Sequence, residues 1–319
     1  MDNLKIFSGR SNPALSHRIS DYLNVPLGHV KIETFPDSEL IVKLEDDVRG
    51  RDVFIIQPTS EPVNETLMEL LIFLDCARRA SAERITAVLP YFGYARQDRK
   101  DEGRTPITAK LAANLITAAG ADRVLVMDLH AAQIQGFFDI PLDNLQSEPV
   151  LSHYYAEQKL KNLVVVSPDV GNVKRARVYA QRLGGDLAIV DKRRVSGTET
   201  QMGRIIGDVA GKTVLMMDDL ISTAGTVANA ARLVKEHGAQ RVLVGATHAV
   251  LCGPAVERIR NAPIDEVVVT DTISVPADKV KAIGKLTVLS VAQLMGEAIR
   301  RIHNNESVSS LFLKDNGQH

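Results

Sequence analysis

The stretch Val214-Leu215-Met216-Met217-Asp218-Asp219-Leu220-Ile221-Ser222-Thr223-Ala224-Gly225-Thr226 decides the fold. Its apolar run does not alternate with polar residues, so it fits a strand buried on both faces, as in a parallel sheet between helices. The run delivers paired carboxylates, then a loop of small and hydroxyl residues. A helical pattern follows from Thr226 to His237 and stops at Gly238. The backbone N–H groups of such a loop, together with the helix N-terminus, suit a phosphate. Small side chains at Thr223, Ala224 and Gly225 let a phosphate reach the backbone. The carboxylates at Asp218 and Asp219 suit sugar hydroxyls or a hydrated magnesium ion.

Outward from this stretch the same grammar repeats. Val-, Ile- and Leu-rich runs occur at 52–57, 84–89, 123–128, 163–167, 187–191, 241–246 and 266–271. Helical patterns lie between them. Leu67, Leu70, Leu71 and Leu74 share one face of a helix over 64–80, and Pro106 opens a helix that ends before Gly120. Strand–helix alternation of this kind means parallel α/β sheets with right-handed crossovers. The joints Ser81-Ala82-Glu83-Arg84-Ile85, Gly120-Ala121-Asp122-Arg123-Val124 and Gly238-Ala239-Gln240-Arg241-Val242 echo one another, and 53–91 parallels 214–248. These echoes predict two similar α/β halves. A helix over 154–160 opens the second half, which puts the boundary near Ser147. The expected domains are 1–147, with a tail over 303–319 packing back on it, and 148–302.

Composition narrows the classes. The chain has 319 residues, 45% of them hydrophobic, which suits about two domains. A formal net charge of −1 gives no basic excess, so nucleic acid is not an expected partner. Cys76 and Cys252, the only two cysteines, form no CxxC pair and imply neither a zinc site nor a disulfide framework. No apolar run approaches the roughly 20 residues that span a bilayer. The N-terminus has no signal-peptide pattern. The expectation is a cytoplasmic protein with no membrane partner.

Ligands of parallel sheets bind beyond the carboxyl ends of the strands. Those ends carry Asp128-Leu129-His130, Ser167-Pro168-Asp169, Asp191-Lys192-Arg193-Arg194 and Asp218-Asp219. Acids, a histidine and a basic cluster at neighbouring strand ends suit a site that handles a cation and an anion. Taken singly, His130 also fits a core histidine, and Lys192-Arg193-Arg194 a solvated run. The stretch from Pro90 to Lys110 follows one strand and precedes a helix. Its Tyr91, Phe92 and Tyr94, followed by alternating charges, fit either a solvated loop or a nucleotide-binding edge with a basic flap.

The Asp218–Thr226 loop resembles the binding loop of the type I phosphoribosyltransferase superfamily. With Tyr94-Ala95-Arg96-Gln97-Asp98 and Asp128-Leu129-His130-Ala131-Ala132-Gln133-Ile134-Gln135-Gly136-Phe137-Phe138-Asp139, the resemblance is to one family. That family is the ribose-phosphate diphosphokinases, or phosphoribosyl pyrophosphate synthetases, in their bacterial-type, phosphate-regulated class. The resemblance runs from Phe7-Ser8-Gly9 to Ser307-Val308-Ser309-Ser310-Leu311-Phe312.

It implies two similar phosphoribosyltransferase-like domains, each a mostly parallel sheet flanked by helices. It implies transfer of the β,γ-diphosphate of Mg-ATP to the 1-hydroxyl of ribose 5-phosphate, with Mg2+ as cofactor. Phe35, Asp37, Ser38 and Glu39 then lie on a loop that reaches adenine in a neighbouring subunit, and Arg96 and Gln97 contact ATP. His130 and Asp169 match the metal-associated positions, with Asp128 supporting that region. Lys192 matches the catalytic lysine. Arg194, Asp218, Ser222, Thr223, Ala224, Gly225 and Thr226 match the ribose 5-phosphate site. The segments 99–104 and 193–200 match closing flaps.

A homohexamer built from dimers is implied, with phosphate and ADP as effectors at Arg49, Ser81, Ser307, Ser309 and Ser310. The chain departs from the family pattern at Ser222, commonly Asp, at Asn172 and Lys174, often Gly and an apolar residue, and after Arg194, where a Pro often follows. Two alternatives stand beside this reading. A phosphoribosyltransferase shares the Asp218–Thr226 loop but has no use for Arg96-Gln97 or Lys192. A non-catalytic regulatory relative shares the fold, yet here Lys192, Arg194, His130 and Asp169 are all present.

Overall fold

The computed structural model describes residues 3–100, 102–191 and 203–311. The chain forms two compact units. The first comprises Met1–Gln146, Thr272–Ser274 and Ser290–His319, and the second Ser147–Asp271 and Val275–Leu289.

The first unit opens with β1 (Leu4–Ser8), α1 (Pro13–Leu23), the hairpin β2 (Val30–Thr34) and β3 (Leu40–Leu44), and β4 (Asp52–Ile56). It continues through α2 (Val63–Arg79), β5 (Arg84–Leu89), α3 (Thr108–Ala119), β6 (Arg123–Met127) and β7 (Leu142–Leu145). The sheet order is β1-β4-β5-β6-β7, every pair parallel. Its inner strands β4, β5 and β6 read as nearly unbroken apolar runs because helices cover both faces. Val53 and Ile55 enter one core with Leu70 and Phe73 of α2 and Ile116 of α3. Phe54 and Ile56 enter the other with Ile19 of α1.

The second unit contains α4 (Glu148–Glu157), β8 (Leu163–Ser167), α5 (Val173–Leu183), β9 (Asp186–Asp191) and β10 (Arg204–Ile206). Then come β11 (Thr213–Ile221), α6 (Gly225–Glu236), β12 (Arg241–Ala249), α7 (Ala255–Asn261), β13 (Glu266–Thr270), α8 (Ala277–Ile283) and β14 (Leu286–Leu289). The order is β10-β9-β8-β11-β12-β13-β14, parallel except at β10–β9. Two cores line its faces.

Several expectations shift. The last helix, α9 (Ala292–His303), belongs to the first unit, not with 148–302. Its Met295, Ala298, Ile299 and Ile302 enter the Phe54–Leu125 core beside α1. A Cβ on Gly296 would stand 2.5 Å from Tyr22, so only glycine lets the two helices approach this closely. Beyond it, Arg84 donates to Asp52, to the Ile302 carbonyl and to Asn305, and His303 meets Asp52 at 2.7 Å.

Pro106 precedes α3 instead of opening it, and the helix starts at Thr108. The helix expected over 154–160 starts earlier, at Glu148 with Pro149 in its first turn. β11 runs on to Ile221, past the carboxylates, because Leu220 and Ile221 still pair with His248 and Ala249.

The echoing joints share one geometry. Ser81, Gly120 and Gly238 take left-handed backbone, and the following Ala82, Ala121 and Ala239 donate to the carbonyls of Ala77, Ile116 and Val234. Each closes its helix with the same reversal. Among the described residues no helix is long and apolar enough to cross a membrane.

Candidate active site

In the second unit the chain leaves β8 toward β9 on one side and leaves β11 toward β12 on the other. The crevice beyond β8 and β11 is therefore a topological switch point, where adjacent crossovers diverge and leave room for a ligand. Asp169 follows β8, and Asp218 lies within β11, three residues before its end. One side chain joins them: the Asn172 amide donates to Asp218 at 3.0 Å and contacts Asp169 at 3.4 Å, while the Asn172 backbone N–H donates to Asp169 at 3.1 Å. Ser167 Oγ donates to the Asp169 carbonyl at 2.6 Å and fixes the turn.

Asp218 is pushed up to about 8, first by burial, then by its hydrogen bond and charge interaction with Asp219, with Asp169 adding repulsion. Asp219 is buried, and its backbone N–H donates to the Asp218 carboxylate at 2.8 Å. A cluster of acids that raises its own affinity for protons is also a cluster that a cation or a sugar hydroxyl would relieve. Among the described residues no group of three or more His, Cys, Asp and Glu side chains converges as a metal cage.

Past Ile221 the chain turns through Ser222 and Thr223. Ala224 takes left-handed backbone at φ 58°, and α6 starts at Gly225. The Ser222 hydroxyl lies 3.3 Å from the Cys252 thiol, and Arg258 donates to the Thr223 carbonyl at 3.1 Å. Thr223 and Thr226 are exposed, and Ala224 is buried. A short loop with a left-handed residue before a helix start is the local geometry in which backbone N–H groups can hold a phosphate. Lys192 and Arg194 lie outside the described residues, as does the flap over 193–200.

The first unit carries the other candidates at the carboxyl edge of its own sheet. After β5, Tyr94 takes left-handed backbone and its hydroxyl donates to Asn64. Gln97 accepts from the Ala109 N–H at 3.2 Å and from the Thr108 hydroxyl at 2.5 Å, which ties it to the start of α3. Arg96 beside it is exposed. After β6, Asp128 is buried with left-handed backbone, and His130 emerges exposed. The two loops are braced together: Gln133 donates to Asp98 at 2.6 Å, Lys110 donates to the Phe137 carbonyl at 2.7 Å, and the Phe92 and Phe138 rings stand 5.7 Å apart.

Asp37, Ser38 and Glu39 cap the β2–β3 hairpin. The Phe35 N–H donates to the Glu39 carbonyl at 2.8 Å, and Phe35, Asp37, Ser38 and Glu39 are all exposed. Asp218, Asp169 and the 222–226 loop are thus brought together in one unit, and Arg96, Gln97 and His130 are carried by the other.

Sequence reasoning missed three contributors. Asn172 stood out only as a departure from a pattern, yet it bridges the two acids. Cys252 and Arg258 lie far along the chain from the loop they touch, and no local signal marks them.

The model for the N-terminal domain of ribose phosphate pyrophosphokinase matches residues 4–120, and that for the phosphoribosyl synthetase-associated domain matches residues 195–313. The chain is 58% identical to a ribose-phosphate pyrophosphokinase of Rhodopirellula baltica, over 98% of this chain and 99% of that one. It is 52% identical to its counterpart in Clostridium perfringens, over 97% and 98%. The crystal structure of phosphoribosylpyrophosphate synthetase from Mycobacterium smegmatis superposes with a TM-score of 0.90 at 42% identity, covering 95% of this chain and 99% of that one. With relatives this similar along almost their whole length, the chain belongs to the ribose-phosphate pyrophosphokinase family.

Proposed function

We propose that this enzyme, acting in the cytoplasm, transfers the β,γ-diphosphate of ATP to the 1-hydroxyl of ribose 5-phosphate, giving phosphoribosyl pyrophosphate and AMP. The observation that carries the reading is the pairing, at one switch point, of the Asp169–Asn172–Asp218 cluster with the phosphate-type loop over 222–226. A sugar phosphate needs both halves of that arrangement: carboxylates for its hydroxyls and a backbone cradle for its phosphate.

The 222–226 loop anchors the 5-phosphate, and Asp218 with Asp219 orients the ribose hydroxyls. Arg96 and Gln97 hold the ATP phosphates and nucleoside. Gln97 is already locked by Thr108 and Ala109, so it pays little ordering entropy on binding. The exposed hairpin tip with Phe35, Asp37, Ser38 and Glu39 serves adenine bound to a neighbouring subunit of a hexamer built from dimers. Lys192, with Arg96 and Arg194, offsets charge building on the transferred group, the main task of a protein in phosphoryl transfer. Once bound, the ribose 1-hydroxyl is held in line with the β-phosphorus, and loop closure excludes water that would otherwise hydrolyse ATP.

The donor chemistry suits magnesium. Asp169 offers hard carboxylate oxygen at the crevice, and the mutual repulsion of Asp169 and Asp218 is relieved by a cation. His130 and Asp169 would hold the ion, which would supply charge neutralisation for the diphosphate.

Phosphate and ADP act as effectors at Arg49, Ser81 and the serines near the C-terminus. In support, the Gly50 N–H donates to the Ser81 carbonyl at 2.9 Å, and Arg301 holds the Ser307 carbonyl at 3.0 Å and the Ser310 hydroxyl. Ser309 sits between them in sequence.

Phosphorus NMR tests the reaction directly. AMP and phosphoribosyl pyrophosphate should appear together, and only when ATP, ribose 5-phosphate and magnesium are all present. Silence at every phosphate concentration would sink the reading and leave a non-catalytic relative.

A further inference from the structure

We propose that Arg258 of α7 is a positioning residue for the phosphate loop, acting from behind it. This rests on the reading that the 222–226 loop takes the 5-phosphate of the sugar substrate. The carbonyls of Ile221, Ser222 and Thr223 are all claimed by one segment of chain. They accept from the Leu251 N–H at 2.9 Å, the Cys252 N–H at 3.1 Å and the Arg258 guanidinium at 3.1 Å.

In a trans peptide the N–H of each residue points opposite to the carbonyl of the residue before it. Pinning these carbonyls on the side of residues 251–258 therefore turns the N–H groups of Ser222, Thr223 and Ala224 toward the other side. The last of these bonds differs from the others. Leu251 and Cys252 give backbone bonds from the chain just past β12, but the Thr223–Ala224 peptide lies where Ala224 turns left-handed before α6. Among the described residues it is a side chain, Arg258, that reaches its carbonyl. Without Arg258 that peptide is free to rotate, and a flipped Thr223 carbonyl would face an incoming phosphate with negative charge in place of a donor.

A Cβ at Gly225 would stand 3.3 Å from Arg258 Nη1, so glycine leaves the guanidinium an easy approach to the loop. The guanidinium also places a fixed positive charge beside the start of α6, where the helix dipole already favours an anion.

The test compares wild type, Arg258→Met and Arg258→Lys, with steady-state rates for both substrates and calorimetric titration of ribose 5-phosphate. Arg258→Met should raise KM and Kd for ribose 5-phosphate about tenfold, the loss typical of one charge-assisted hydrogen bond, with KM for ATP and the melting temperature nearly unchanged. Arg258→Lys should recover part of the affinity, since an ammonium still donates to a carbonyl.

Wild-type KM for ribose 5-phosphate in Arg258→Met overturns the positioning role and leaves the proposed function standing. Equal rises in both KM values, with no recovery in Arg258→Lys, overturn it as well, because they mark a general structural defect. If wild type itself neither binds ribose 5-phosphate nor forms product, the proposed function fails and this inference fails with it.

Discussion

Asp218 shows how a single residue carries both a cost and a use. Its ordinary value is 3.8, and burial with the neighbouring Asp219 pushes it up to about 8. Between these values the folded chain holds a proton that the unfolded chain has released. Stability from this group is therefore greatest at the acid end of the window and falls as pH rises toward about 8. In metal-free buffer, Asp218→Asn should flatten that slope and melt above wild type at about pH 8.5, while turnover falls sharply. Melting curves for both proteins across the window check this, and parallel curves would remove Asp218 as the source. At Lys192, which the resemblance marks as the charge-offsetting group, substitution by alanine should lower turnover by roughly 100-fold or more. Near-normal rates in that variant would take Lys192 out of its role.

Among the elements, α9 is the least expected. Asp52 at the start of β4 is 5% exposed and is held by Arg84 of β5 and His303 of α9. Arg84 in turn carries the Ile302 carbonyl and Asn305. Asp52→Ala leaves a half-buried guanidinium without its carboxylate and loosens the C-terminal residues from the strand ends. The expected cost is about 3 kcal/mol in denaturant unfolding, within the range for breaking a buried ion pair from one side. A change below about 1 kcal/mol would show that apolar packing of Met295, Ile299 and Ile302 fixes α9 unaided. The sequence marked the amphipathic character of this helix poorly as a guide to its location. Periodicity says that a helix has an apolar face, but not which sheet will cover it.

For the molecule as a whole, the acid cluster and phosphate loop belong to the second unit, and Arg96, Gln97 and His130 to the first. The proposed chemistry calls on a cation to offset several negative charges. Addition of a chelator to the assay should abolish product formation, and excess magnesium should restore it. Residual turnover in fully chelated enzyme would exclude the metal role proposed for His130 and Asp169. Sedimentation of the purified enzyme should give a hexamer, and a stable monomer with full activity would remove the neighbouring-subunit role of the Asp37–Glu39 hairpin.

By itself the sequence determined the α/β class, because unbroken apolar strands separated by amphipathic helices have no other compact solution. It also determined the phosphate-type loop, because paired acids, small residues and a helix start lie within thirteen consecutive positions, 214–226. These signals are local, and local chemistry is written along the chain. Only the tertiary structure decided which unit owns α9, how Asn172 bridges Asp169 to Asp218, and what holds the Thr223 carbonyl. Each of those depends on residues brought together from distant positions: Arg258 lies 35 residues beyond Thr223, and His303 lies 251 beyond Asp52. Such pairings are set by which faces the sheets leave to be covered, a property of the packed molecule that no window of sequence contains.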